Sequence, residues 1–123
     1  MSERAWHFYL DDMSSFANDA LNYSRGLSLA EFEQNSMAYD ATLRKIELIG
    51  EAAGNIPVNI RALAPLIPWR EIIATRNRVA HAYLGIDNDT IWSILQDELP
   101  ALIEEIAALQ QRLKVAGQHT DTP

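Results

Sequence analysis

The chain has 123 residues, a formal net charge of −7 at pH 7 and no cysteine, which allows one domain with a core of several helices. The absence of cysteine excludes a disulfide-stapled scaffold, thiolate chemistry and a cysteine zinc site. The longest uncharged run, residues 52–60, is far shorter than the roughly 20 residues of a membrane helix, and the N-terminus lacks a signal-peptide pattern. We therefore expect a soluble cytoplasmic domain with no membrane contact.

The first predicted element is an amphipathic helix over about residues 3–24. Gly26 follows it and can take the left-handed conformation that commonly ends a helix. Apolar residues recur along this segment at three- and four-residue steps, as in one face of a helix: Trp6, Tyr9, Leu10, Met13, Phe16, Ala17, Ala20 and Leu21.

A second helix is predicted to begin after Ser28 and to run to about Gly54. Ser28 and Glu31 have the spacing of a capping box, in which each side chain bonds the backbone N–H of the other residue. Asn35–Ser36 indicates a break within the helix. Small residues around Gly50 would let a neighbouring helix approach closely.

A third helix is predicted to start at Pro68 and to end near residues 83–85. Proline suits the first turn of a helix because its missing N–H would be unpaired there. Between the second and third helices, Pro57 and Pro65 interrupt a connecting segment with one short helical turn at about residues 59–64.

A fourth helix is predicted after Asp87 or Asp89, either of which can cap it. Its apolar stripe runs from Ile91 to Leu113, and Pro100 should kink it rather than end it, because the periodicity resumes beyond. No segment alternates with period two. The sequence thus predicts an all-α bundle of four main helices over residues 1–116, with a flexible tail over 117–123.

Positive charge is concentrated in the third helix and just before it. Four arginines and one glutamate give residues 61–83 a net charge of +3, and the remainder of the chain carries −10. A basic island on an acidic body indicates a local anion site, although solvated charges on a helix surface would give the same pattern.

Arg76, His81 and Tyr83 form the densest set of functional side chains, in the stretch RNRVAHAY. Arginine presents a planar fork of donors matched to phosphate oxygens, and histidine can exchange a proton near neutral pH. The pair suits RNA cleavage without a metal, in which the 2′-OH of the substrate attacks phosphorus. Tyr83 could stack on a base or bond a phosphate. A helix cap with solvated charges is the alternative.

Helix geometry limits how these residues meet. Arg76 and Tyr83 lie about 20° apart on an ideal helix, whereas Arg76 and His81 lie about 140° apart. Convergence of Arg76 and His81 requires a reaching arginine, a distorted helix or a second protomer. Arg78, three residues before His81, is its neighbour on the same face.

The stretch RNRVAHAY resembles the R-x4-6-H-x-Y signature of HepT-like toxins, within the HEPN superfamily of helical RNases. Arg76, His81 and Tyr83 match the signature, and Asn77 matches the polar position after the arginine. The resemblance extends over most of the chain and includes KIELIGEAAGNIP at 45–57, IPWREIIATRN at 67–77, and LGID with Trp92 and LP at 99–100.

The resemblance implies a homodimeric HEPN-type bundle in which two motifs face a shared cleft. It implies a toxin of a type VII-like HepT/MntA system: a metal-independent endoribonuclease, without cofactor, that uses Arg76 and His81. The antitoxin, an MntA-like nucleotidyltransferase, would silence it by transferring AMP to Tyr83. Asn77, Arg78 and Glu51 would support the site or contact RNA, although Glu51 could equally be a surface or inter-helix contact. The alternative function is a non-catalytic module that partners the nucleotidyltransferase.

Overall fold

A computed structural model of the chain describes the backbone of residues 3–80 and 87–120, and the side chains of residues 5–79 and 87–116. Every regular element within these ranges is helical, which confirms the all-α class. The elements are α1 (Glu3–Ser24), α2 (Leu29–Gln34), α3 (Ser36–Gly54), α4 (Val58–Arg61), α5 (Trp69–Ala80), α6 (Asn88–Ser93), a π-helical segment (Ile94–Glu98) and α7 (Leu99–Thr120).

Local hydrogen bonds set the ends of the first three helices. Gly26, two residues after the last residue of α1, has a positive φ of 78°. The capping box is present, since the Glu31 N–H donates to Ser28 Oγ at 3.1 Å and the Ser28 N–H donates to Glu31 Oε1 at 2.9 Å. Asn35 both ends α2 and begins α3, where its side-chain oxygen accepts from the Ala38 N–H at 3.0 Å. The predicted break in the second helix is therefore confirmed.

Asp87 is the residue that caps the fourth helical region, through a 2.7 Å hydrogen bond from the Thr90 N–H to its carboxylate. α5 follows Pro68 directly, as predicted, and is described as far as Ala80. The predicted end of this helix, near residues 83–85, lies outside the described residues.

The chain remains helical through Pro100, as expected, but its hydrogen-bond register changes just before it. In the π-helical segment the Leu99 N–H bonds to the Ile94 carbonyl, five residues earlier. Pro100 has no N–H to donate, so a regular α-helical ladder would lack one bond here in any case. Ile94, Leu95 and Leu99 are all buried, so the wider π-helical turn places these side chains on the core side of the helix.

The hydrophobic core lies where α1 packs against α3 and α7, and α5 also packs against α3. Each large aliphatic or aromatic side chain buried in this core contributes roughly 1.5–3 kcal/mol by removing apolar surface from water. Helices α1 and α7 supply completely buried residues at helical spacing, which agrees with their predicted apolar faces: Leu10, Met13, Ile106 and Leu109.

No helix within the described ranges is both long and apolar enough to cross a membrane. α7 ends at Thr120, so its last residues fall within the segment 117–123 that was predicted as a tail. The division into a helical domain and a tail stays a prediction.

Candidate active site

Arg76 lies in the second half of α5, where this helix crosses α3. The crossing is close because α3 has Gly50 at the point of contact. A Cβ atom added to Gly50 would collide with the Cβ of Arg76, and would lie 3.0 Å from the Ile72 carbonyl oxygen and 3.1 Å from the Arg76 Cγ. The first part of the Arg76 side chain is therefore seated directly on the backbone of α3.

The guanidinium of Arg76 contacts one side chain from each helix. Its Nη1 donates to Asn77 Oδ1 at 3.0 Å, and its Nη2 lies 3.5 Å from Glu51 Oε1. The side chains of Arg76 and Glu51 are 38% and 47% exposed, so water screens the attraction and the pair adds little to stability. The two contacts instead orient the guanidinium plane. The structure thus brings Arg76, Asn77 and Glu51 together.

The Arg76 guanidinium has a buried inner side and an exposed outer edge. Its Nε is buried and has no hydrogen-bond partner among the described residues. The described residues thus give the Arg76 Nε no stabilising hydrogen bond, and an unpaired buried donor typically costs about 1–3 kcal/mol. The two Nη atoms together carry four N–H donors; one of them is hydrogen-bonded to Asn77, and the 3.5 Å approach of Nη2 to Glu51 is an ion pair. The remaining donors form the type of fork that binds a phosphate through two oxygens.

The other arginines of the basic island do not join Arg76. Arg61 donates from Nε to the Ile56 carbonyl at 2.8 Å and from Nη2 to the Gly54 carbonyl at 3.3 Å, which satisfies backbone groups at the end of α3. Arg78 is exposed and, two residues from Arg76, points to another side of α5. The arginines Arg61 and Arg76 of the island predicted from charge alone therefore make different contacts.

His81 and Tyr83 lie outside the described residues, between α5 and α6. Asp87 and Asn88, the first described residues after them, each accept a side-chain hydrogen bond. The hydrogen bond from the Thr90 backbone lowers the pKa of the Asp87 carboxyl, and the positive charge of Arg78 contributes in the same direction. Next to it, the Tyr39 hydroxyl donates to Asn88 Oδ1 at 2.7 Å and ties α6 to α3.

An apolar groove of about 240 Å³ lies between α3, the start of α5 and the start of α7. Ile46, Ile49 and Ile72 are among its lining residues, whereas Arg76, Asn77 and Glu51 are not. Its carboxylates would repel a polyanion, and the groove is therefore unsuited to RNA. The carboxylates come from both sides of the groove: Glu71, Asp97, Glu98 and Glu105.

Across the described parts of the chain, no group of three or more histidine, aspartate or glutamate side chains lies close enough together to hold a metal ion.

The contact between Gly50 and Arg76 was not predicted from the sequence. The small residues around Gly50 indicated that a helix would approach closely, and this is correct. The residue that would face Gly50 could not be named, because the crossing depends on how α3 and α5 pack in three dimensions.

Comparison with known proteins identifies the family. The chain matches the family described as "Ribonuclease HepT-like" over residues 13–109. It is 34% identical over 106 residues to "Putative RNase MJ1380" of Methanocaldococcus jannaschii, which covers 86% of this chain and 97% of that protein. It is 32% identical over 100 residues to "Probable ribonuclease HepT" of Thermococcus cleftensis, which covers 81% and 91% of the two chains.

A third similar protein, "Putative RNase MJ0125" of Methanocaldococcus jannaschii, is 32% identical over 114 residues, or 93% of this chain and 98% of that protein. No solved structure matches the chain at a significant level. The family match spans most of the helical bundle, including all of α3 and α5, which carry the Arg76 site. The chain belongs to the HepT-like ribonuclease family.

Proposed function

We propose that this protein is the toxin of a HepT/MntA-type system and a metal-independent endoribonuclease. The observation that carries the proposal is Arg76, which occupies the arginine position of the family signature and presents its Nη donors at an exposed edge of α5. His81 completes the proposed catalytic pair. Membership of a ribonuclease family supports RNA as the substrate.

The proposed reaction is a transesterification within the RNA. The 2′-oxygen attacks the adjacent phosphorus, and the bond from phosphorus to the 5′-oxygen of the next nucleotide breaks. The proton of the 2′-OH is lost and the departing 5′-oxygen gains one; His81 assists this transfer. Arg76 neutralises charge that develops on the phosphate oxygens. The products are a 2′,3′-cyclic phosphate and a 5′-OH end.

Glu51 and Asn77 support this chemistry through Arg76. Asn77 accepts a hydrogen bond from Nη1 and Glu51 is the ion-pair partner of Nη2, so together they orient the guanidinium plane before RNA arrives. A donor already oriented in the free enzyme stabilises the transition state without further reorganisation. Arg78, on another side of α5, is proposed to contact the RNA backbone.

Tyr83 is the proposed site of control by an MntA-like nucleotidyltransferase. Transfer of AMP from ATP to its hydroxyl, with release of pyrophosphate, would add bulk and a negative charge close to Arg76 and His81, and so oppose entry of an RNA phosphate. After co-expression with the nucleotidyltransferase, intact-mass measurement should show one or more AMP additions. The same additions on a Tyr83→Phe variant would contradict this site.

A cleavage assay with matched substrates tests the activity. Purified protein, with and without a chelator, is incubated with an RNA and with the same sequence carrying 2′-deoxy nucleotides. We expect the RNA alone to be cut, with cyclic phosphate ends and no effect of the chelator. Arg76→Ala and His81→Ala should each abolish cleavage while circular dichroism shows an intact helical fold.

Cleavage of the 2′-deoxy strand, or loss of activity with the chelator, would contradict the proposed mechanism. Folded wild-type protein that binds the nucleotidyltransferase but cuts no RNA would instead favour a non-catalytic module. Expression of the wild type alone should arrest growth in cells. Arrest that is equally strong with the folded Arg76→Ala and His81→Ala variants would also contradict the assignment of these two residues.

A further inference from the structure

We propose that Gly50 is a positioning residue for Arg76: the missing side chain at this point of α3 sets where the guanidinium stands. The inference rests on the proposed function, since it assigns a purpose to the location of the proposed catalytic arginine. Gly50 itself touches neither substrate nor reacting atoms.

The Cβ atom of Arg76 occupies the space into which a side chain at position 50 would project. Real Cβ atoms essentially never come closer than 3.0 Å to a neighbouring heavy atom of this kind, and a Cβ on Gly50 would violate that limit against the Arg76 Cβ. The Arg76 Cβ is fixed to the α5 backbone and cannot rotate away, unlike the end of a flexible side chain. The Ile72 carbonyl oxygen, one turn earlier in α5, would lie 3.0 Å from the added Cβ and limits the same space. Any side chain at position 50 would therefore move α5 relative to α3.

Glu51 connects the packing of α3 and α5 to the position of the Arg76 guanidinium. This residue is next to Gly50 on α3, and its carboxylate is the partner of Arg76 Nη2 at 3.5 Å. A shift of α5 away from α3 would lengthen this contact, while the Asn77 contact, made within α5, would move together with Arg76. The guanidinium would then be displaced from one of its two supports. A misplacement of 1 Å in a catalytic group can cost about 100-fold in rate.

The same helix offers a matched control. Gly54 lies one turn further along α3, and an added Cβ there would meet nothing within 4 Å. Gly50→Ala and Gly54→Ala therefore make the same chemical change in one helix, with a collision in the first case and open space in the second.

The experiment measures kcat and KM for RNA cleavage by wild type, Gly50→Ala, Gly54→Ala and Arg76→Ala, at a temperature well below each melting temperature. We expect kcat of Gly50→Ala to fall by about 100-fold, with Gly54→Ala unchanged. A purely structural role would lower the melting temperature of Gly50→Ala but leave kcat of the folded protein unaltered. If folded Gly50→Ala has the kcat of the wild type while Arg76→Ala is inactive, this inference is overturned but the proposed function is not. Full activity of Arg76→Ala would overturn the proposed function.

A swap variant keeps the inference testable if Gly50→Ala does not fold. Combining Gly50→Ala with Arg76→Gly removes the Cβ that the new methyl group would meet. If the collision with the Arg76 Cβ is what prevents Gly50→Ala from folding, the swap variant should fold. Its melting temperature should then be close to that of Arg76→Gly. A swap variant that fails to fold, beside a folded Arg76→Gly, would show that the space at Gly50 is required by other contacts and would overturn the inference.

Discussion

Arg76 combines features that a purely structural surface arginine does not need. Its Nε is buried without a partner in the described part of the chain, and its Nη atoms are directed by Asn77 and Glu51. Arg61 shows the contrast, because its guanidinium bonds backbone carbonyls and so serves the fold. Two arginines of equal charge therefore make different contacts: Arg61 bonds backbone carbonyls, and Arg76 contacts two side chains.

The fork of Arg76 leads to a prediction for a conservative substitution. Arg76→Lys keeps the charge but replaces the planar fork by a single ammonium, which cannot bond two side chains and a phosphate in one plane. We expect kcat for RNA cleavage to fall by about 100- to 1,000-fold, the usual effect of losing a transition-state donor. Arg70→Lys, an exposed position on the same helix, is the control and should retain activity. Comparable activity in both variants would show that charge alone suffices at position 76.

At the scale of whole elements, most helix starts follow from side chains close in sequence. The capping box of Ser28 and Glu31, the double role of Asn35 and the placement of Pro68 each involve residues within four positions of the helix end. Such interactions can be recognised from sequence because they need no distant partner. The bond between Tyr39 and Asn88, 49 residues apart, is of the other kind and was not predicted.

The π-helical segment shows the limit of prediction within one helix. Pro100 indicated a disturbance, since it removes one backbone donor. The form of the disturbance depends on which of the side chains at 94–99 must face the core, and this is set by α1 and the other packed helices. A kink and a π turn give similar sequence patterns, and tertiary packing selects between them.

The cap of α6 provides a prediction about pH. In the folded protein the hydrogen bond from the Thr90 backbone lowers the pKa of Asp87 below its ordinary value of 3.8. The contribution of this carboxylate to stability is therefore complete above that value and is lost as the pH falls through the folded-state pKa. Asp87→Asn retains a capping oxygen that does not titrate. The melting temperature of Asp87→Asn should thus fall less than that of wild type between neutral pH and a pH of about 3.

Asp89→Asn serves as the control for this measurement. It removes the same charge within the first turn of α6, but Asp87 is the residue that caps the helix. Its melting temperature should follow that of wild type across the same pH range. An identical acid response in all three proteins would show that the cap contributes nothing to the pH dependence of stability.

For the whole molecule, the acidic exterior restricts where RNA can bind. The net charge of −7 repels phosphates at long range, and the apolar groove adds carboxylates beside α5. The proposed RNA contact is therefore confined to the end of α5 that carries Arg76 and Arg78. The sequence predicted this location through the family signature, whereas the packing that seats Arg76 on α3 required the structure.

The separation of Arg76 and His81 on an ideal helix, about 140°, leads to a prediction about assembly. In the proposed homodimer, an active site would combine Arg76 of one protomer with His81 of the partner subunit. Arg76→Ala and His81→Ala, each inactive alone, would then complement each other. A heterodimer of the two variants would retain one site with both residues intact and lose the other.

Co-expression of the two variants with different affinity tags allows the heterodimer to be isolated by two successive purifications. With one intact site of two, it should cleave RNA at about half the wild-type rate per dimer. Mass measurement under native conditions provides the control, because a chain of 13.8 kDa must appear as a dimer containing both tags. A verified heterodimer without activity would mean that each site takes Arg76 and His81 from the same chain. The arginine would then have to reach round α5, or the chain after Ala80 would have to depart from the helix.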